Sequence, residues 1–549
     1  MGMRAEPAES LRRRVAGLLI VRASGHLADG QRRYPRWEHD NASLRRLLGQ
    51  GLGGVILLGG SAAELRLRTR QLQAWSREPL LLCADVEEGV GQRFEGASWL
   101  VPPLAVGRLH RRDTAAAVGL AERYGRCIGR EARQLGLNWV LAPVCDVNNN
   151  PANPVINVRA WGEDPQTAAA LATAFLRGAQ NEGVLCCAKH FPGHGDTDTD
   201  SHLELPRLSH GPERLEAVEL PPFRAAVAAG VASVMTAHLA LPALDPDRPA
   251  TLSPAVLTGL LRRAMGFEGL IVTDALVMEA IAGRWGAGEA AVLALEAGAD
   301  LVLMPGDADA ALEAIVAAVA AGRLDAARLE RSLRRRQAAL ERLSPLGNGG
   351  DDVPLGALSN GPGREDRQLA ATLVERSLER HGGGIRIPAA AGINLVRIDS
   401  ALGCRFLSPA APALELPGRA GLRPCLLDGL GPSPWRAEAE AAAANGPLAL
   451  ERLGEGPVLL QLFVRGNPFL GSARGREPWA EVVEQLQAIG RLAGLAVYGS
   501  PYLWEELRER LADDVPAAWS PGQMPLAQER VLAALGLQDR PGRQRGFTD

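Results

Sequence analysis

Long apolar runs are missing from this chain. No stretch approaches the roughly 18 apolar residues that cross a bilayer, so a membrane-spanning helix is not expected. A charge excess of one sign is missing too: 60 basic residues stand against 63 acidic ones. The basic residues cluster only in short runs such as Arg12-Arg13-Arg14, so neither nucleic acid nor an anionic membrane is an expected partner. Cysteine is scarce. The seven cysteines are odd in number and scattered, and two of them, Cys186 and Cys187, are adjacent inside an apolar run, which excludes a disulfide framework and points to a reducing compartment. Residues 15–21, following the three arginines, imitate the start of a signal peptide. Arg22 interrupts the run and no small-residue cleavage site follows, so we read a buried strand and expect a cytoplasmic protein.

What is present is length and alternation. A chain of 549 residues exceeds a single core and implies two or three domains. From residue 15 to about 306, short apolar runs at 16–21, 54–58, 80–86, 138–147, 184–190, 233–239, 269–276 and 299–305 alternate with amphipathic helical stretches at 61–75, 114–135, 166–182, 213–229, 253–265 and 288–297. Near-continuous apolar strands alternating with helices predict parallel pairing buried on both faces. A closed (β/α)8 TIM barrel is the simplest solution, with an open doubly wound sheet as the alternative. One further helix over 307–343 closes the ring. We therefore expect a catalytic barrel over 1–343, a Gly/Pro/Asp-rich linker over 344–365 and a smaller α/β sandwich domain over 366–549. That domain is predicted to carry a helix at 367–380, strands at 392–397, 458–463 and 495–499, and helices at 478–493 and 503–512; the Ala-rich stretch 437–445 reads as a surface helix.

The densest chemistry lies in one loop. Lys189-His190-Phe191-Pro192-Gly193-His194-Gly195-Asp196-Thr197-Asp198-Thr199-Asp200-Ser201-His202 gathers titratable groups that no packing requirement explains, directly after an apolar run. Asp85, Asp146, Lys189, His190, His238 and Asp274 all fall at C-terminal ends of predicted strands, the face on which barrel active sites are built. Each also has a plain structural reading: Asp274 as the N-cap of the next helix, Asp146 as a turn organiser before three asparagines, His238 as a satisfied core or rim residue. Two reaction classes fit such a pocket. A metal hydrolase could draw on His190, His194, His202 and His238, although the Pro-Gly turn keeps His190 and His194 off a common helix face. Retaining glycoside hydrolysis needs an anionic nucleophile and a proton donor, which Asp274 and the Asp200/His202 pair supply.

At these residues the chain resembles the family 3 glycoside hydrolases, specifically their bacterial β-N-acetylglucosaminidase branch. Three further segments join the loop in the family's order: Asp85-Val86-Glu87-Glu88-Gly89-Val90-Gly91-Gln92-Arg93, the stretch from Asn149 through Arg159 to Pro165, and Ile271-Val272-Thr273-Asp274-Ala275-Leu276. Val86, Glu88, Val90 and Gly91 depart from the family's acidic segment. The resemblance implies a retaining double displacement with Asp274 as nucleophile and His202, oriented by Asp200, as acid and then base. It implies sugar-hydroxyl contacts from Asp85, Arg159, Lys189 and His190, no cofactor and no metal. The expected substrate is a small oligosaccharide or muropeptide with a terminal β-linked N-acetylhexosamine, as in peptidoglycan recycling. A β-glucosidase, an N-acetylglucosaminide phosphorylase, a metal-dependent hydrolase and an inactive glycan-binding barrel are the alternatives.

Overall fold

The computed structural model describes residues 8–199, 204–343, 361–385, 392–398, 404–428, 453–465 and 477–538. They form two compact units that divide at Ala370 and Ala371. The expected linker segment 344–360, the Ala-rich stretch 437–445, Asp200 and His202 lie outside the described residues.

In the first unit, eight strands run in parallel: β1 (Leu19–Ser24), β2 (Gly54–Leu58), β3 (Leu81–Ala84), β4 (Trp139–Val140), β5 (Leu185–Phe191), β6 (Ser233–Thr236), β7 (Leu270–Val272) and β8 (Val302–Leu303). Neighbours in sequence pair in register from β1 through β7, β8 pairs with β1, and a parallel bridge from Val272 to Leu301 completes the ring. This is the expected TIM barrel. Burial on both faces is the cause of its apolar strands: every residue of β5, Lys189 included, is buried. Helices start where the sequence supplies acceptors. Ser61 caps Ala62–Trp75, Asp113 caps Thr114–Gln134, Asp164 with Pro165 opens Pro165–Asn181, and Asp307 caps Ala308–Ala320, each side chain accepting an otherwise unpaired backbone N–H of the first turn.

Three helical expectations change. The single helix over 307–343 is two, Ala308–Ala320 and Ala326–Glu341, because Gly322 takes a positive φ of 71° and Asp325 caps a new start. The stretch 213–229 is broken into Pro212–Arg214, a π-helical turn Leu215–Glu219 and Pro221–Ala228, since Pro221 and Pro222 cannot donate into a continuous ladder. The helix expected at 288–297 begins earlier, at Glu279, and bends where Gly286 has φ 68°. No helix among the described residues is long and apolar enough to cross a membrane.

The second unit holds a six-stranded sheet ordered β11-β10-β12-β13-β14-β9, where β9 is Glu379–His381, β10 Gly392–Ile398, β11 Leu422–Asp428, β12 Val458–Val464, β13 Leu492–Gly499 and β14 Ala517–Ser520. Five strands are parallel and β9 joins antiparallel at the edge. Helices Trp479–Ala488 and Pro501–Arg508 cover one face through Val482, Leu486, Trp504 and Leu507. Pro412–Arg419 and Pro525–Ala534 cover the other through Ala413, Val531 and Leu532. The result is the expected three-layer α/β arrangement.

Candidate active site

The barrel brings Asp85, Arg159, Lys189 and His190 into one hydrogen-bonded floor at the C-terminal strand ends. Lys189, 1% exposed, reaches Asp85 Oδ1 at 2.7 Å and Glu87 Oε1 at 2.6 Å. Glu87 in turn accepts a two-pronged pair from Arg159, Nε to Oε2 at 2.8 Å and Nη2 to Oε1 at 2.8 Å, the geometry that suits a guanidinium best. Arg159 Nη1 donates to Val155 O at 3.0 Å, and Nη2 stands 3.5 Å from His190 Nε2. The other ring nitrogen, His190 Nδ1, lies 2.7 Å from Asp146 Oδ2. A carboxylate accepts only, so Nδ1 carries the hydrogen. Lys189 and His190 are consecutive, yet both reach the pocket; the register of β5 against β6 shifts between Ala188 and Phe191, which re-aims side chains at the strand end.

Burial and charge act against each other here. Burial alone would raise the Glu87 carboxyl, but Arg159 and Lys189 together hold it well below the usual carboxylate range. Burial would lower Lys189, and Asp85 with Glu87 raises it instead, so the ammonium persists. Burial likewise works against ionised Asp146, and His190 with the His194 amide holds it down. The floor is thus an alternating array of full charges, organised before any ligand arrives. Asp85 is its most accessible carboxylate, with 36% of its side chain exposed.

The loop after β5 is tied down at its stem. Asp146 Oδ1 accepts the backbone N–H groups of His190 (3.2 Å) and His194 (2.7 Å), so Asp146 organises this loop. Asn153 donates to the carbonyls of His194 and Gly195, each at 2.8 Å. Gly195 is required by this packing: a Cβ there would sit 1.7 Å from Val147 O. His194 is buried and its Nδ1 lies 2.8 Å from Thr197 Oγ1, whose own hydrogen goes to His194 O. Nδ1 therefore donates, and Nε2 is a buried lone pair with no partner among the described residues. Burial pulls this imidazole down to about 4 in spite of the Asp146 and Asp274 carboxylates, so it is neutral near pH 7.

Asp274 follows β7 at the same end. Its Oδ1 accepts the N–H of Ala275 at 2.7 Å. It does not cap the next helix, which starts at Glu279 with Met278 at its N-cap, so the capping reading is corrected. His238 is the satisfied core histidine of the plain reading: Nδ1 meets Thr251 Oγ1 at 2.9 Å and Nε2 meets Ala275 O at 3.0 Å, steadying the backbone beside Asp274. The segment 85–93 absorbs its departures. Val86 and Val90 are fully buried, Gly91 N–H donates to Ser98 O at 2.7 Å where a Cβ would collide, and Glu88 accepts from the Trp99 indole at 3.3 Å. Arg93 Nε holds Asp85 O at 2.9 Å. For the metal alternative, the His190 and His194 rings are 6.4 Å apart edge to face and each commits Nδ1 elsewhere. Among the described residues, the groups with metal-compatible spacing are Cys127/Glu131/Asp366 and Asp196/His210/Glu219, neither of which contains them.

Glu87, Asn153 and Thr197 hold the predicted site residues and their loop in place, and sequence reading passed over them. The signal for Glu87 was the need of two buried cations for a second carboxylate.

Residues 10–338 match the model described as the glycosyl hydrolase family 3 N terminal domain, and residues 387–536 match the bacterial glycosyl hydrolase family 3 C-terminal domain. The chain belongs to glycosyl hydrolase family 3. This family 3 glycosidase is 38% identical over 270 residues to a beta-hexosaminidase of Stenotrophomonas maltophilia, covering 48% of this chain and 80% of the relative. It is 36% identical over 276 residues to beta-hexosaminidase A of Pseudoalteromonas piscicida, covering 46% of each; this chain thus spans about half the length of that relative. A solved family 3 beta-N-acetylglucosaminidase from Paenibacillus sp. str. FPU-7 superposes with a TM-score of 0.75 at 30% identity, covering 96% of this chain and 97% of that one.

Proposed function

We propose that this glycosidase is a retaining exo-β-N-acetylhexosaminidase that releases terminal β-linked N-acetylhexosamine from small glycosides. The observation that carries the reading is the convergence of Asp85, Arg159, Lys189 and His190 at the barrel end that also bears Asp274. Such a floor binds vicinal hydroxyls: Lys189 and Arg159 donate, Asp85 accepts, and contacts that tighten as the ring flattens lower the barrier. The relatives named beta-hexosaminidase support the N-acetylhexosamine preference.

Asp274 would attack the anomeric carbon while the His202 imidazolium protonates the leaving oxygen. The neutral imidazole would then take a proton from water, whose oxygen displaces Asp274 from the glycosyl ester and restores both groups. Asp200, two residues before His202, would accept an imidazole N–H and favour the charged form. We keep peptidoglycan fragments as the expected physiological substrates and the cytoplasm as the expected setting, which the scattered free thiols support. We also keep residues 1–343 as the catalytic domain, 344–365 as the linker and 366–549 as the second domain.

Nitrophenol release tests the reading. The β-N-acetylglucosaminide should be cleaved far faster than the β-glucoside, and Asp274→Ala should lower kcat roughly 10⁴-fold or more, as loss of a covalent nucleophile does. His202→Ala should spare activated leaving groups more than natural ones; equal losses on both would remove His202 from the acid role.

A further inference from the structure

The segment that carries Asp200 and His202 is held from both sides. On the way out from β5, Asp146 and Asn153 fix the backbone of residues 190–195. On the way back, Leu208 N–H donates to Ala240 O at 2.9 Å and Ala240 N–H to Pro206 O at 2.8 Å, which stitches the returning chain to the segment after β6. The two legs then meet through side chains. Asp196 Oδ2 lies 2.8 Å from His210 Nε2, 14 positions further along the chain. A carboxylate only accepts, so Nε2 carries the hydrogen.

A second layer stands behind that bond. Arg214 Nη2 donates to Asp196 Oδ2 at 3.3 Å and to Glu219 Oε1 at 3.0 Å. Its spacing of 5 from Glu219 matches the i→i+5 period of the π-helical turn Leu215–Glu219, which the Leu220 N–H closes onto Leu215 O at 2.9 Å. Glu219 is buried, and its Oε2 has no hydrogen-bond partner among the described residues. Gly193 packs on it so closely that a Cβ there would lie 2.8 Å from Glu219 Cβ. Arg214 is the cation that offsets this buried charge, and the charge in turn holds the guanidinium in place. Asp196, His210 and Glu219 have metal-compatible spacing, but Arg214 already bridges the two carboxylates, so the cluster joins chain to chain and leaves no call for an ion. Asp196 and Gly193 belong to the outgoing leg, whereas His210, Arg214 and Glu219 belong to the returning one.

We propose that Asp196, His210, Arg214 and Glu219 form a clasp that closes the neck of this segment and so positions the acid/base for its proton transfers. The proposal rests on the reading of His202 as that acid/base. Bringing the ends of a flexible segment together costs conformational entropy. A clasp that has closed them beforehand leaves less to lose when the imidazole meets the glycosidic oxygen. The sugar contacts come from Asp85, Arg159, Lys189 and His190, which the clasp does not include, so opening it should impair proton transfer and spare sugar binding.

The test is how kcat/KM, which reports glycosylation, depends on the leaving group. With alkyl β-N-acetylglucosaminides, whose leaving oxygen needs a proton, His210→Ala should lower kcat/KM roughly 10- to 100-fold, as a misplaced catalytic group does. With the dinitrophenyl compound, whose leaving group needs no acid, kcat/KM should stay within about threefold, which also controls for folding. Azide, a nucleophile with no proton to give up, should raise kcat of His210→Ala on the dinitrophenyl compound and yield the glycosyl azide. His210→Gln keeps an N–H for Asp196 and should recover most of the alkyl-glycoside rate, while Arg214→Gln should repeat the selective loss. Equal losses on both leaving groups in His210→Ala and Arg214→Gln, or no loss on either, overturn the clasp. A selective loss in His202→Ala without one in those two variants overturns the clasp alone, whereas equal losses in His202→Ala overturn the acid reading and the clasp with it.

Discussion

Two buried charge networks occupy opposite ends of the same barrel. At the C-terminal end, Glu87 joins Arg159 and Lys189, and Lys189 goes on to the half-exposed Asp85. At the N-terminal end, Asp300 accepts Arg262 at 2.7 Å, the Ile271 N–H at 3.0 Å, Ser332 at 2.7 Å and Arg335 at 3.1 Å. Both satisfy a buried carboxylate with several donors, three contacts at Glu87 and four at Asp300, and both tie together elements distant in sequence. They differ in where the network ends. Asp300 and its partners close on themselves and clamp Ala255–Ala264 and Ala326–Glu341 to the strand starts, whereas the Glu87 network runs outward to groups that face the pocket. Charge at the bottom of the barrel serves cohesion; under the proposed function, charge at the top is held in place for a sugar.

Breaking each network in turn should separate those roles. Glu87→Gln leaves Arg159 and Lys189 short of a counter-charge, so stability should fall by about 3–5 kcal/mol, and kcat/KM should also fall on the order of 10²-fold from misplaced sugar contacts. Denaturant titration and steady-state kinetics on the folded fraction would read the two losses separately. Asp300→Asn should cost a similar amount in the denaturation experiment while leaving kcat/KM of the folded protein within about twofold; a large kinetic defect there would erase the contrast between the two ends. A third buried acid sharpens it. Glu131 accepts the Ser98 N–H and hydroxyl, and burial raises its carboxyl to about 7 in spite of them. Its folded pKa lies above the unfolded value, so its contribution is present below about pH 4.5 and is lost as pH rises through 7, up to about 3 kcal/mol. Glu131→Gln should remove that alkaline-going loss from a stability profile recorded between pH 4.5 and 7.5. The smallest effect is at the rim: Asp307→Ala removes one exposed N-cap and should cost about 1 kcal/mol in thermal or chemical melting, with no change in kinetics.

The barrel was legible because parallel strands buried on both faces must be apolar along their length, and all eight appear where the runs lie. Their extents were less legible. The run 138–147 pairs regularly only at Trp139–Val140, since Pro143 cannot donate to a ladder and the chain turns toward Asp146. β11 escaped notice because it contains Pro424 and lies at the sheet edge, where a proline is tolerated. In the site, Asp85, Arg159, Lys189 and His190 stood out as charged residues at strand ends or in matching segments. Glu87 did not, because its role exists only once Arg159 and Lys189 are brought together from 72 and 102 positions away. Asn153 was hidden for the same reason: its task is to meet the carbonyls of His194 and Gly195, which no local pattern announces.

The central claim is that Asp274 forms a covalent bond to the sugar above this charged floor. A slow N-acetylglucosaminyl substrate fluorinated at C5 should accumulate the glycosyl-enzyme, and peptide mass spectrometry after rapid acid quench locates it. The account predicts one added sugar on the peptide containing Asp274, absent in Asp274→Ala. Full turnover with no adduct in Asp274 or an adduct on another carboxylate would contradict it.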